Sequence, residues 1–248
     1  MFEVRPAIVL LHGFSATGAS WDGVVDALGE RYRALTPDLR GHGDARDARP
    51  ISFAACVADT AALLPGPSTL VGYSMGARLA LCTALAQPGQ IERLVLISGT
   101  AGIADAAERE ARRADDEALA ATIETQTIEV FARRWGAQPL FKGQPPAVAE
   151  AAHEDRLRND PAGLAAALRG IGTGVMEPLW SRLGELRMPL TVIAGERDGR
   201  FAKLGERLVA GAPDGRLLVV PGAGHAVHLE APALVSTCIG ETTATPAP

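Results

Sequence analysis

The chain is 248 residues long, enough to bury one sizeable core, and its 47% apolar and 21% charged content is that of a globular protein rather than a disordered one. A net charge of −5 excludes nucleic-acid or anionic-membrane binding as the main business, while leaving room for a local basic pocket. No stretch approaches the roughly 20 apolar residues of a membrane span, and the start, Met1 to Pro6, lacks the layout of a signal peptide, so a cytoplasmic protein is expected.

Ala7 to Leu11 is a continuous apolar run of the kind that a parallel sheet buries on both faces. It leads into His12-Gly13-Phe14-Ser15-Ala16-Thr17-Gly18, a glycine-bearing loop, and then into an amphipathic helix from about Ser20 to Glu30. A loop after a central strand aims its N–H groups over the carboxyl edge of the sheet, so the Phe14 N–H is a candidate oxyanion donor. His12 is expected to orient this loop rather than to react. Tyr32 to Pro37 reads as a second strand, followed by a second glycine-punctuated loop, Asp38 to Asp44, in which His42 serves loop geometry. Ser52 to Leu64 is a helix closed by Pro65-Gly66-Pro67, and Thr69 to Tyr73 is the next strand.

That strand ends in Gly72-Tyr73-Ser74-Met75-Gly76, a G-x-S-x-G element between a strand and the helix-like run Ala77 to Leu81. Its glycines let strand and helix pack closely while Ser74 occupies a strained turn, and the Met75 N–H at the helix start is the second candidate oxyanion donor. The plain alternative is a glycine-bounded turn with an N-cap serine. Ile91 to Ser98 is a further buried strand, so strands and helices alternate from Ala7 to Ser98, as in an open parallel sheet covered on both faces.

From about Gly99 the texture changes. Ala104 to Thr122 is charged and alanine-rich, and helical patterns continue to about Trp180 without a strand. An all-helical insertion of ~80 residues at this point reads as a lid over the carboxyl edge, with a solvated decoration as the alternative. The expected division is a core of residues 1–100 and 188–248 with a lid at 101–187. The sheet resumes at Pro189 to Ala194 and is followed by Gly195-Glu196-Arg197-Asp198. A helix from Phe201 to Ala210 leads to the strand Arg216 to Val220 and to Pro221-Gly222-Ala223-Gly224-His225. A closing helix spans about Val227 to Ile239, and Thr242 to Pro248 is a polar tail.

Ser74, Asp198 and His225 therefore fall at one sheet edge, in the order of a serine nucleophile, a carboxylate and an imidazole. Glu196 and His228 are the rivals: Asp198 sits closer to the helix start, and His228 falls inside the closing helix pattern, facing solvent or the lid. Cys56, Cys82 and Cys238 are scattered and odd in number, and read as small buried hydrophobes of a reducing compartment. No Cys/His spacing suits zinc and no phosphate-binding loop is present, so neither a metal nor a cofactor is expected.

Through Leu11 to Phe14, Asp38 to Gly43, Gly72 to Gly76, Gly195 to Asp198 and Gly222 to His225, the whole chain resembles the α/β-hydrolase superfamily. The resemblance implies a mostly parallel sheet of about six or seven strands flanked by helices, trimmed at its start because two leading strands have no room before Ala7. Within it, Arg78, the stretch Gly102 to Arg113, Phe131 to Phe141, Arg156 ahead of Asn159, and Gly195 to Asp198 with Phe201 are similar to 2-succinyl-6-hydroxy-2,4-cyclohexadiene-1-carboxylate synthases of menaquinone biosynthesis. Ala77 departs from a glycine usual there, and Gly199-Arg200-Phe201 from a lysine-bearing form. This narrower resemblance implies a lyase that eliminates pyruvate with the serine as base. It also implies that Arg78, Arg112 and Arg156 bind substrate carboxylates beside Tyr73 and Trp135. The alternative reading of the pattern is that Arg112 and Arg156 are exposed helix residues in i,i+4-type pairs, for example Glu108 with Arg112. The expected partner is a small polycarboxylate, with the protein a monomer or weak homo-oligomer. The alternative is a serine carboxylesterase or C–C bond hydrolase working through an acyl-enzyme. An inactive receptor on this fold would require a broken triad.

Overall fold

A computed structural model describes residues 5–240. The reading of the first residues as lacking a signal peptide and the polar tail Thr242 to Pro248 lie outside them. The apolar runs form the strands as expected: β1 (Ala7–Leu11), β2 (Arg33–Leu35), β3 (Ser68–Tyr73), β4 (Ile91–Ile97), β5 (Leu190–Gly195) and β6 (Gly215–Val220). They make one sheet in the order β2-β1-β3-β4-β5-β6, parallel throughout. Every residue of β1, β3 and β5 is buried, which is what helices on both faces require of continuous apolar strands.

One face is covered by α1 (Asp22–Leu28), α9 (Val227–Glu230) and α10 (Pro232–Gly240), through Trp21, Val24, Leu28, Val227, Val235 and Ile239. The other face is covered by α2 (Phe53–Leu63), α3 (Met75–Ala86) and α8 (Gly199–Gly211), through Leu79, Ala80, Leu81 and Leu208. Each of these buried leucines is held by about 1.5–3 kcal/mol of transfer free energy. Strand order reverses between β1 and β3, which pair through Leu11 and Gly72. The loops after these two strands therefore open a crevice at the switch point of the sheet, the place where open α/β sheets bind ligands.

Between β4 and β5 the described residues hold only helices and turns: α4 (Ala106–Glu124), α5 (Ile128–Gly136), α6 (Pro146–Arg156) and α7 (Pro161–Ile171), with three short 3-10 turns. Ala120, Ile123, Phe131, Leu164 and Leu168 give these helices a small core of their own, against which Phe14 also packs. No helix among the described residues is long and apolar enough to cross a membrane.

Three expectations are corrected. The helix expected from Ser20 to Glu30 is α1 flanked by 3-10 turns, and it stops where Gly29 takes a φ of 64°. The second strand shrinks to Arg33–Leu35, because it is an edge strand paired only with β1. The closing helix breaks between α9 and α10 at Ala231, since Pro232 has no N–H with which to continue the ladder.

Candidate active site

Ser74 sits between β3 and α3 with φ 51° and ψ −103°, a backbone conformation that a non-glycine residue adopts only when its surroundings hold it there. The hold is visible. Ser74 N–H donates to the Ile97 carbonyl at 2.9 Å, and Arg78 N–H donates to the Ser74 carbonyl at 3.3 Å. A Cβ on Gly76 would strike the Leu11 carbonyl oxygen, and one on Gly72 the backbone of Gly76, so both glycines are required by close backbone approach.

The Ser74 Oγ lies 3.1 Å from His225 Nε2, and His225 Nδ1 lies 2.6 Å from Asp198 Oδ2. A carboxylate only accepts, so Nδ1 carries the proton and Nε2 is left to accept from the serine. His225 and Asp198 are 2% and 8% exposed, and in that low-dielectric surrounding the carboxylate offsets an imidazolium formed next to it. Asp198 also caps α8, accepting from Phe201 N–H, and the Phe201 ring packs 4.6 Å from the imidazole. Glu196 is turned away, accepting from Gly222 N–H. His228 is turned inward rather than toward solvent: it is 1% exposed, packed between Trp21 and Tyr73, with both ring nitrogens unpaired. Burial and the neighbouring His225 hold its pKa down at about 3, so it stays neutral. A supporting residue unseen in the sequence is Ser98, whose hydroxyl donates to the His225 carbonyl at 2.8 Å from a residue with φ 49°. Its position at the end of a strand was the only signal.

Phe14 and Met75 line the same cavity as Ser74, and neither N–H has a hydrogen-bond partner among the described residues. The Phe14 loop is brought in by Gly13, where a Cβ would meet the Tyr73 ring at 2.6 Å and Ser74 Cβ at 3.6 Å. His12 fixes its base: Nδ1–H donates to the Gly13 carbonyl at 2.8 Å, and Nε2 accepts from Leu39 N–H at 2.9 Å.

The cavity over Ser74 has a volume of about 790 Å³, and Arg78, Arg112 and Trp135 also line it. Arg78 is 7% exposed, donates from Nη1 to the Ile171 carbonyl at 2.7 Å, and has no ion pair among the described residues. Burial, with the charge of Arg112, lowers its pKa to about 10, which still leaves it charged at neutral pH. Arg112 donates from Nε to Asp116 Oδ1 at 2.7 Å and not to Glu108. Arg156 and Tyr73 line a second cavity of about 90 Å³, with Phe14, Gln144 and His228 also in its wall. Arg156 is 6% exposed with its guanidinium over the Phe141 ring at 5.1 Å, and no carboxylate pairs with it among the described residues. Burial pushes the Arg156 pKa down and the Tyr73 pKa strongly up, so the phenol stays neutral. The five expected binding residues thus divide between two adjoining cavities that meet at Phe14. Arg200, Lys203 and Arg207 on α8 are also in the wall of the larger one, unannounced in sequence except by their i, i+3, i+7 spacing. Among the described residues no group of three His, Cys, Asp or Glu side chains is arranged to hold a metal. Cys56 and Cys82 are free thiols whose pKa burial raises to about 11, which makes them poor nucleophiles.

Residues 8–237 match the model of the alpha/beta hydrolase family. A Bacillus subtilis (strain 168) protein provisionally named as a 2-succinyl-6-hydroxy-2,4-cyclohexadiene-1-carboxylate synthase is 35% identical, over 95% of this chain and 89% of its own. The Serratia proteamaculans (strain 568) protein named as the same synthase is 34% identical over 92% and 89%. The structure titled MenH from S. aureus superposes with a TM-score of 0.90 at 31% identity, covering 96% of this chain and 92% of that one.

Proposed function

The chain belongs to the alpha/beta hydrolase family, and we propose that it eliminates pyruvate from 2-succinyl-5-enolpyruvyl-6-hydroxy-3-cyclohexene-1-carboxylate, giving the 2,4-cyclohexadiene product of menaquinone biosynthesis for which its relatives are named. One observation carries the reading beyond kinship. Arg78 and Arg156 are buried cations without a carboxylate partner among the described residues, and together with Arg112 they supply three guanidinium groups for a substrate with three carboxylates. A buried cation left unpaired is costly, and a bidentate carboxylate offsets that cost.

The bond changes follow from the two ring systems. The substrate loses the hydrogen on C2, which is acidified by the succinyl ketone and the C3–C4 double bond, and loses the C5–O bond to the enolpyruvyl group. Ser74 passes its proton to His225 Nε2 and takes the C2 proton, while the Phe14 and Met75 N–H groups hold the ketone oxygen as charge builds on it. The electron pair moves through the ring and expels enolpyruvate, which takes the proton from His225 and tautomerises to pyruvate. Asp198 balances the imidazolium throughout. No water is added, so residues 101–187 act as a lid that keeps water out and brings Arg112, Trp135 and Arg156 to a core of residues 1–100 and 188–248.

The second reading, a serine carboxylesterase or C–C bond hydrolase, is favoured by the Ser74–His225–Asp198 row with two free N–H donors, which serves acyl transfer equally well. Incubation with the enolpyruvyl substrate, following pyruvate, separates them, with Ser74→Ala, Arg112→Ala and p-nitrophenyl acetate alongside. Pyruvate release lost in both variants supports the synthase. No release above background, with Ser74-dependent ester cleavage, overturns it in favour of the hydrolase.

A further inference from the structure

The turn that ends α6 does two jobs at once. Arg156 reaches one cavity, while the residues on either side of it, Asp155 and Asn159, grip the loop that carries the Phe14 N–H. Asp155 accepts from Thr17 N–H at 2.9 Å and from the Thr17 hydroxyl. Asn159 Nδ2–H donates to the Ser15 carbonyl at 3.0 Å and to the Arg156 carbonyl at 3.2 Å, and Asn159 Oδ1 accepts from Gly43 N–H at 3.1 Å. All of these partners are buried: Ser15 and Thr17 are 2% exposed, Asn159 5% and Asp155 8%. Ser15, immediately after Phe14, has a φ of 65°, so the peptide that follows the oxyanion donor is held in a conformation a serine does not adopt unaided.

We infer that Asn159, with Asp155, is a positioning residue that sets the Phe14 N–H for oxyanion binding and ties it to the same turn that presents Arg156. The amide of Asn159 suits this better than any other side chain of its size. It gives a donor to the Ser15 carbonyl and an acceptor to Gly43 N–H at once, bridging both loops at the carboxyl edge of the sheet through one planar group. An aspartate would keep the acceptor and set a carboxylate against the Ser15 carbonyl. Because Arg156 is three residues away and its own carbonyl is one of the Asn159 acceptors, movement of the turn on carboxylate binding is transmitted to the loop without any contact between Arg156 and Phe14. The inference rests on the proposed oxyanion role of Phe14, though not on the identity of the substrate.

The test uses two reactions of the intact protein. Asn159→Asp and Asn159→Ser are compared with wild type in pyruvate release from the enolpyruvyl substrate and in the Ser74-dependent burst with p-nitrophenyl acetate, a neutral ester that needs the oxyanion donors and no arginine. Removing an oxyanion donor outright costs about 10²–10³ in kcat, so a displaced one is expected to cost about tenfold in both reactions, with KM for the polycarboxylate within about twofold. Arg156→Ala, by contrast, is expected to raise that KM. Unchanged kcat in both reactions, or an effect of the Asn159 variants confined to polycarboxylate KM, overturns the inference. If wild type releases no pyruvate, the synthase reading fails while the ester burst still decides the role of Asn159. Should the Asn159 variants melt below the assay temperature, Thr17→Val decides instead: it removes the hydroxyl that Asp155 holds and keeps the shape. A kcat loss of a few fold supports the clamp, and wild-type kcat overturns it.

Discussion

On α4 the Arg112 guanidinium and the Asp116 carboxylate lie 2.7 Å apart, and the carboxylate is the buried partner. Asp116 also accepts from Gly174 N–H at 3.3 Å, so it is fixed from two sides and sets the direction of the arginine. Asp116→Asn weakens the grip without emptying the site. Because the Arg112 side chain is 41% exposed, the pair itself is worth no more than about 1 kcal/mol, which corresponds to roughly a fivefold change. Steady-state kinetics are expected to show KM for the polycarboxylate raised about fivefold with kcat nearly unchanged, and ester cleavage untouched. A fall in kcat at constant KM would place Asp116 elsewhere in the chemistry.

Gly76→Ala is expected to be among the most damaging small substitutions in the chain. The added methyl meets the Leu11 carbonyl, which is backbone in the middle of the sheet and has nowhere to move. Forced overpacking of this kind costs about 3 kcal/mol, or roughly 6–12 °C in melting temperature for a protein of this size. Gly89→Ala, at an exposed site with nothing within 4 Å, is the control and is expected to leave the melt unchanged within about 0.5 kcal/mol.

The parts of the site carried by loops after buried strands were legible, because apolar runs and glycine punctuation fix which side chains reach one sheet edge. Ser74 follows β3 directly, Asp198 follows the buried β5 by three residues, and His225 follows β6 by five through a glycine-bearing turn. What local pattern does not encode is contact between distant elements. His228 lies on a short helical turn cut off by Pro232, and its place among Trp21 and Tyr73 is decided by packing across the chain. Arg112 had carboxylates at both i−4 and i+4, and the choice of Asp116 follows from its burial against Gly174, which no helix-face pattern contains. The separation of Arg156 from Arg78 into adjoining cavities was likewise invisible in a list of arginines.

Arg200, Lys203 and Arg207 are exposed along the face of α8 that lines the larger cavity, Arg207 lying over the Trp180 ring at 3.8 Å. Asp105 and Glu108 stand in the same wall, and these three cations, with Arg78 and Arg112, outnumber them. For a polyanionic substrate they raise the encounter rate, an effect that salt screens over a Debye length of about 8 Å at physiological ionic strength. Lys203→Glu is expected to lower kcat/KM for pyruvate release about threefold in 20 mM buffer and to match wild type in ~0.5 M salt, with kcat constant. A difference that persists in high salt would mean direct binding instead of steering.

Burial keeps His228 and His42 neutral, each with its pKa lowered to about 3, and depresses His12 as well. In the unfolded chain these imidazoles bind protons near pH 6.5, whereas the native chain refuses them until far lower pH. The stability that neutral His228 and His42 contribute is therefore complete above pH 6.5 and is lost as pH falls from there toward 3, at about 1.4 kcal/mol per pH unit for each of these two. His228→Phe keeps a ring between Trp21 and Tyr73, removes two unpaired nitrogens, and takes one proton out of that balance. Urea unfolding at pH 7.5 and pH 5.0 is expected to show wild type losing about 2 kcal/mol more than the variant over that interval. Equal losses would mean that native His228 takes up its proton over the same pH range as in the unfolded chain, so that burial between Trp21 and Tyr73 does not keep it neutral.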